Sequence, residues 1–282
     1  MIDGGNLRPT HWERQVKTAL FVIFALLPSL APGIALAGPV EDLLSGARTE
    51  CRGCDLKDAN FKKADLAGVD LSGADVTGAS FHRANLKGAN FAGAVAEAAN
   101  FNLTDLGGAD FTGANLRSAF FYGSQLSAAK FGGANLFDAR MQEARLTGAD
   151  FTDANLDGTV MKNVRLNNAT VSGASMVQTN LTGASLGRSK FDNTTISKAS
   201  FNQATMTGAT FTASRIELTD FYGAQMLRVD FTSASITASR LTRAKVLTEQ
   251  FDVTSEFARN ILPNGRDQPV AETAADPAPA AQ

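Results

Sequence analysis

From Leu56 to Phe251 an apolar residue recurs at every fifth position with no insertion or deletion, which makes (251 − 56)/5 + 1 = 40 consecutive units. A repeat of fixed period dictates architecture more strongly than local propensity does. Five matches neither the 3.6-residue period of a helix nor the 2.0 of a long strand. Each unit must therefore be a very short extended segment followed by a turn, with the central residue pointing inward and its neighbours outward. Every centre is apolar, and Ala96 is the only small one. Two residues before the centre there is almost always something small, as at Ala59, Ala64, Ala74, Ser124, Thr159 and Val164. The position just before the centre is mostly Asp, Asn, Ser or a longer polar residue, and Gly is frequent two after it.

The stretch ADLAGVDLSGADVTGASFHRANLKGANFAGA resembles the pentapeptide-repeat family, whose pattern is A(D/N)LxG, and the likeness extends from Cys51 to about Phe251. The resemblance implies an all-β fold, a right-handed quadrilateral parallel β-helix in which four units make one square coil. Four units per coil stack residues 20 apart, and this chain carries that period independently. One column of centres reads Phe91, Phe111, Phe131, Phe151, Phe191, Phe211, Phe231 and Phe251, and a second reads Phe61, Phe81, Phe101, Phe121, Phe201 and Phe221. Leu66, Leu86, Leu106 and Leu126 mark one intervening wall, and Leu116, Leu136, Leu156 and Ile196 the other. Two facing aromatic columns flanked by aliphatics suit a narrow core of constant cross-section. Forty units predict about ten coils and, at ~4.8 Å per coil, a rod ~48 Å long.

The ends differ from the repeat. Arg8, Arg14 and Lys17 precede the apolar run TALFVIFALLPSLAPGIALA, and Ala35-Leu36-Ala37 before Gly38 has the small residues of a cleavage site. Residues 1–37 are therefore expected to be a secretory signal, with a periplasmic or secreted mature protein. An inner-membrane anchor is the alternative, although the unbroken apolar part, Ala19 to Leu27, is short for a span. Residues 38–50 hold Val40, Leu43, Leu44 and Ala47 at helical spacing and predict a helix capping the first coil. The solenoid is placed at 51–253. A helical cap is expected over 254–263, starting at Thr254 or Ser255 with Phe257, Ile261 and Leu262 on its face and Pro263 as its stop. Residues 264–282, rich in Ala, Pro and Asp, are expected to be a disordered tail.

Candidates for chemistry are few. Cys51 shares the phase of the centres and Cys54 that of the small residues, so both are expected to face into the first coil. In an oxidising compartment the pair predicts a structural disulfide. It has neither a thioredoxin-like context nor the His of a haem-attachment motif. His11 and His82 are the only imidazoles, so neither a metal site nor a cofactor is expected. Asp65, Asp70 and Asp75 precede centres on three successive walls and point in different directions. A catalytic cleft of the β-helical polysaccharide-active type needs lengthened loops, and no unit is lengthened. An ice-binding row needs regular Thr, whereas Thr112 and Thr152 alternate with Gly132, Ser172 and Asp192.

Surface recognition remains. The wall of Phe61 to Leu241 begins with Lys62, Lys63, His82 and Arg83 and then carries outward Leu103, Phe120, Tyr122, Arg140, Val160 and Lys162. Phe137 and Arg117 sit on the adjoining wall. Aromatics beside arginine are the compositional mark of a protein interface, and we take Phe120, Tyr122, Phe137, Arg140, Val160, Arg117, Lys62 and Lys63 as the candidate surface. With 26 basic against 28 acidic residues, no nucleic-acid partner is expected. The expected function is a non-catalytic exported scaffold that offers a rigid face to a protein partner or to a second copy. The family resemblance also implies an alternative, a DNA mimic that protects a type II topoisomerase. That role calls for a cytoplasmic, strongly acidic rod, which the export signal and the basic cluster Lys57, Lys62, Lys63, Arg83 and Lys87 disfavour.

Overall fold

The computed structural model describes residues 38–268. The signal expected at 1–37 lies outside the described residues, as does most of the expected tail. The repeat folds as a parallel β-solenoid. Parallel bridges join residues 20 apart, from Glu50↔Asp70 through Phe120↔Arg140 to Gln225↔Lys245. Residues 50 to 245 thus make close to ten coils of 20.

Most units tie themselves twice. Within a unit the amide three after the centre donates to the centre's carbonyl, as from Ala74 to Leu71 at 3.0 Å, closing a tight turn. Between coils the centre's own amide donates upward, as from Phe91 to the Asp110 carbonyl at 2.6 Å. The turn needs a left-handed residue two after the centre, a type II requirement that explains the frequent glycine. Gly73 meets it with φ 64°, and the fold imposes the same conformation on Leu103 (58°) and Leu218 (53°).

The inward columns form one core. Phe131 stacks on Phe111 at 5.1 Å and on Phe151 at 4.7 Å, and Phe81 meets Phe91 edge-on across the core at 5.7 Å. Beyond the first coil the small positions are buried with the centres, and where they are polar the hydroxyl is bonded. Thr104 donates to the Phe81 carbonyl at 2.7 Å and Thr159 to that of Leu136 at 2.9 Å. The aromatic stacks are interrupted in mid-rod, where Met141, Val171, Met161 and Leu181 fill the two columns. On the Leu116 wall the last coils straighten into a five-stranded parallel sheet, β1 (Ser175–Val177), β2 (Thr195–Ser197), β3 (Arg215–Glu217), β4 (Ser235–Thr237) and β5 (Glu256–Ala258).

The two ends depart from expectation. At the N-terminus the helix is shorter than 38–50. It is α1, Pro39–Ser45, stopped by Gly46 in the left-handed conformation. Leu43 is buried and Val40 packs on the core, while Leu44 is half exposed and Ala47 lies beyond the helix. At the C-terminus the expected helix over 254–263 is replaced by another coil carrying one extra residue. A 3-10 turn, Thr248–Phe251, leads into it with the offset still 20, the Ser233 amide donating to the Val253 carbonyl; the extra residue enters between Val253 and Glu256, and β5 then pairs with β4, Phe257 opposite Ile236. The open edge of β4 decides this: its amides and carbonyls gain more from a parallel partner than from a helix lying across them. Residues 264–268 are also ordered, where a tail was expected. Asp267 bridges back to Ile261, and the Gln268 amide donates to the Asn260 carbonyl at 2.8 Å.

Candidate interaction wall

On each wall the residues just before and just after a centre point outward and stack with their equivalents 20 residues on. Around Phe121 this gives three outward ladders. The first runs Asn100, Phe120, Arg140, Val160, and its rungs are backbone bridges. The second runs Asn102, Tyr122, Gln142, Lys162, and the third Leu103, Gly123, Glu143, Asn163. The Arg140 guanidinium lies 5.7 Å from the Phe120 ring centre, and the Tyr122 hydroxyl donates to Glu143 Oε2 at 3.0 Å. The Glu143 carboxylate holds that phenol above its ordinary pKa. The Tyr122 amide is met by Asn102 Oδ1 at 2.7 Å, which fixes the ring's base.

These side chains bound a shallow groove of about 430 Å³ between Phe120, Tyr122, Arg140 and Lys162. Across the Tyr122–Glu143 bridge a second, more polar groove of about 370 Å³ is bordered by Leu103, Gln125, Arg145 and Arg165. The wall thus presents an aromatic ridge with basic side chains on both flanks.

Of the residues singled out from the sequence, Phe120, Tyr122 and Arg140 come together here. Val160 stands on the next rung beyond Arg140, half buried and outside the groove lining. Arg117 lies over Phe137 at 4.6 Å as a separate pair on the neighbouring wall. Lys62 and Lys63 are exposed on the same wall but three coils away from Tyr122, ~14 Å at the coil spacing, and do not join it. Glu143, which anchors Tyr122, was not anticipated, because its link to Tyr122 crosses 21 residues and only stacking of coils reveals it.

A second station was also missed. Exactly five coils on, Tyr222 occupies the place of Tyr122, and Arg240 and Arg243 approach its ring at 5.2 and 5.6 Å. Arg243 also donates to the Tyr222 hydroxyl at 2.8 Å, and Arg240 grips Asp220 through two nitrogens. The signal was present: the two tyrosines lie 100 residues apart, a multiple of 20.

At the N-terminal edge the Cys51 and Cys54 sulfurs lie 1.96 Å apart, at disulfide distance. Cys51 is buried and Cys54 only partly so, because no earlier coil covers it. Among the described residues no group of three or more His, Cys, Asp or Glu side chains is placed to hold a metal ion. Among the same residues no helix is long and apolar enough to cross a membrane.

The family model for pentapeptide repeats matches the chain in 8 copies, over residues 47–83, 79–117, 97–133, 134–173 and 174–212. The chain belongs to the pentapeptide-repeat family. Among solved structures, this pentapeptide-repeat protein is similar to HetL, described as involved in heterocyst differentiation regulation in the cyanobacterium Nostoc sp. strain PCC 7120. The identity is 19%, with 82% of this chain and 99% of that one covered and a TM-score of 0.50. It is also similar to QnrB1, a plasmid-mediated fluoroquinolone resistance protein, at 18% identity over 74% of this chain and 91% of that one, with a TM-score of 0.46. At this identity the likeness to HetL concerns the fold. No curated protein matches the chain at a significant level.

Proposed function

We propose that this pentapeptide-repeat protein is an exported, non-catalytic scaffold whose Phe121 wall binds a protein partner. The observation that carries the reading is the Phe120, Tyr122, Arg140 cluster. The Tyr122 side chain is held by Glu143 and its backbone by Asn102, Phe120 lies against Arg140, and Tyr122 remains 45% exposed. Preorganised aromatics beside arginine lose little entropy on binding and are the residue types that dominate interface energetics. A solenoid of unbroken coils adds rigidity, since most backbone amides along the ladder are already bonded. The apolar run and the Ala35-Leu36-Ala37 site support export.

The test is capture of partners from periplasmic extract by the mature chain, compared with the double variant Phe120→Ser, Tyr122→Ser. Loss of the captured partners with an unchanged melting curve is expected, and an unchanged partner list rejects this wall. Fractionation of a tagged full chain tests export separately, and a mature form found in the cytoplasm rejects it.

A further inference from the structure

Most units of the solenoid close their turn with a backbone bond from the residue three after the centre, as from Ala59 to Leu56, and none after the first carries a pair of sulfurs across it. The Cys51–Cys54 turn makes the same bond, from the Cys54 amide to the Cys51 carbonyl at 3.3 Å. It is also laddered to the second coil like any other, through Cys51 to the Asp70 carbonyl at 2.7 Å and Asp75 to the Cys54 carbonyl at 2.9 Å. A bond across two intervening residues closes the shortest of loops and restrains the unfolded chain least. The backbone therefore holds the two sulfurs together whether or not they are joined.

The surroundings of the pair are those of a reactive sulfur. Both cysteines open onto a groove of about 410 Å³ whose other walls are Arg48, Glu50 and Arg52. Arg48 places Nη1 3.7 Å from Cys51 Sγ, and it is held there by its other terminal nitrogen on Asp42 at 3.7 Å and by its amide on the Asp42 carbonyl at 3.1 Å. Arg52 is turned aside onto Asp70 at 2.5 Å and Glu50 at 3.4 Å. One fixed guanidinium thus faces one sulfur, and the other sulfur is the accessible one.

We propose that Cys51 and Cys54 form a thiol–disulfide exchange site that reacts with an external dithiol. A thiolate of the dithiol attacks Cys54 Sγ. A mixed disulfide forms there, the Cys51–Cys54 bond breaks, and its electron pair leaves on Cys51 as a thiolate beside Arg48. The dithiol's second thiol, losing its proton to solvent, attacks its own sulfur in the mixed disulfide and expels Cys54, which takes up a proton. The protein gains two electrons, and the dithiol becomes a disulfide. Arg48 is a positioning residue that stabilises the leaving thiolate.

The experiment is reduction of the oxidised, exported chain by dithiothreitol without denaturant, followed by alkylation and mass spectrometry, with circular dichroism recorded throughout. Complete reduction with the solenoid signal unchanged is expected. The variant Arg48→Met should slow it about threefold, because the leaving Cys51 thiolate loses the guanidinium beside it, and Arg48→Lys should restore the rate. Glutathione in place of the dithiol should leave its adduct on Cys54. Reduction that requires denaturant, an Arg48→Met rate equal to that of the unaltered chain, or an adduct on Cys51 would each overturn the proposal.

Discussion

Tyr122 and Tyr222, the only tyrosines in the chain, stand at the same lateral position of one wall, five coils apart. At the coil spacing this is ~24 Å. The first donates its hydroxyl to Glu143, and the second accepts from Arg243. The wall therefore has two aromatic stations with opposite hydrogen-bond polarity, and a partner lying along it meets both. Tyr222→Ser is expected to weaken capture of the partners that Tyr122→Ser weakens. Tyr122→Ser should shift stability by no more than about 0.5 kcal/mol, as exposed sites do, and Tyr222→Ser, at a position half-buried against Arg240 and Arg243, by about 1 kcal/mol. Pull-down with matched melting curves checks this, and undiminished capture by Tyr222→Ser would confine the face to the first station.

The break in the aromatic stack yields a stability prediction. Val171 lies between Phe151 and Phe191 in its column, opposite Met161 and Leu181, while Phe151 already fits opposite Met141 and Met161. Val171→Phe should join the upper and lower stacks and raise stability by about 1 kcal/mol, the worth of an aromatic pair. Urea unfolding measures it, and a loss of stability would show that the mid-rod core has contracted around the aliphatics.

Acid should loosen the rod. Burial pushes the Asp220 carboxyl up, but Arg240, the Tyr222 amide and Asn202 outweigh it and hold the group below its ordinary value. At Asp70 the Ser72 side chain and amide, with Arg52, act in the same direction against weaker burial. A carboxyl depressed in the folded state contributes stability above its unfolded pKa of about 4 and loses it as pH falls through the folded value. The urea midpoint should thus drop between pH 5 and pH 3. Asp220→Asn should drop less, by under about 1 kcal/mol for so exposed a pair, and equal slopes would exclude Asp220 as a source.

The last coil among the described residues is clamped by side chains. Buried Asn260 donates to the Ile236 carbonyl at 2.9 Å and accepts from the Ser239 amide at 2.8 Å. Asn260→Ala should cost about 1 to 3 kcal/mol through the groups left unpaired. Hydrogen exchange should rise first at residues 236–239 and 256–268, and uniform exchange along the rod would refute a local clamp.

The cysteines, the core and the wall show different degrees of transparency to reading along the chain. The centres from Leu56 to Leu241 face inward as their period requires, and so do the small positions beside them, Cys54 and Ala64 near the N-terminal edge being only partly buried, because a strict period of five within twenty leaves a side chain only two directions. The ends were read less well. Phe257, Ile261 and Leu262 at helical spacing looked like a capping helix, yet β5 forms there, since the same residues also suit one more coil and the unpaired edge of β4 selects it.

Periodicity alone therefore settled the solenoid, its coil count and which residues are buried, since backbone hydrogen bonding between identical coils admits one register. Tertiary structure decided which outward residues meet. Tyr122 with Glu143, Tyr222 with Arg240 and Arg243, and Arg48 with Cys51 depend on side-chain reach across coils or from α1 to the first coil. Outward positions carry no packing constraint to mark them in the repeat, so their partners emerge only when the coils are stacked.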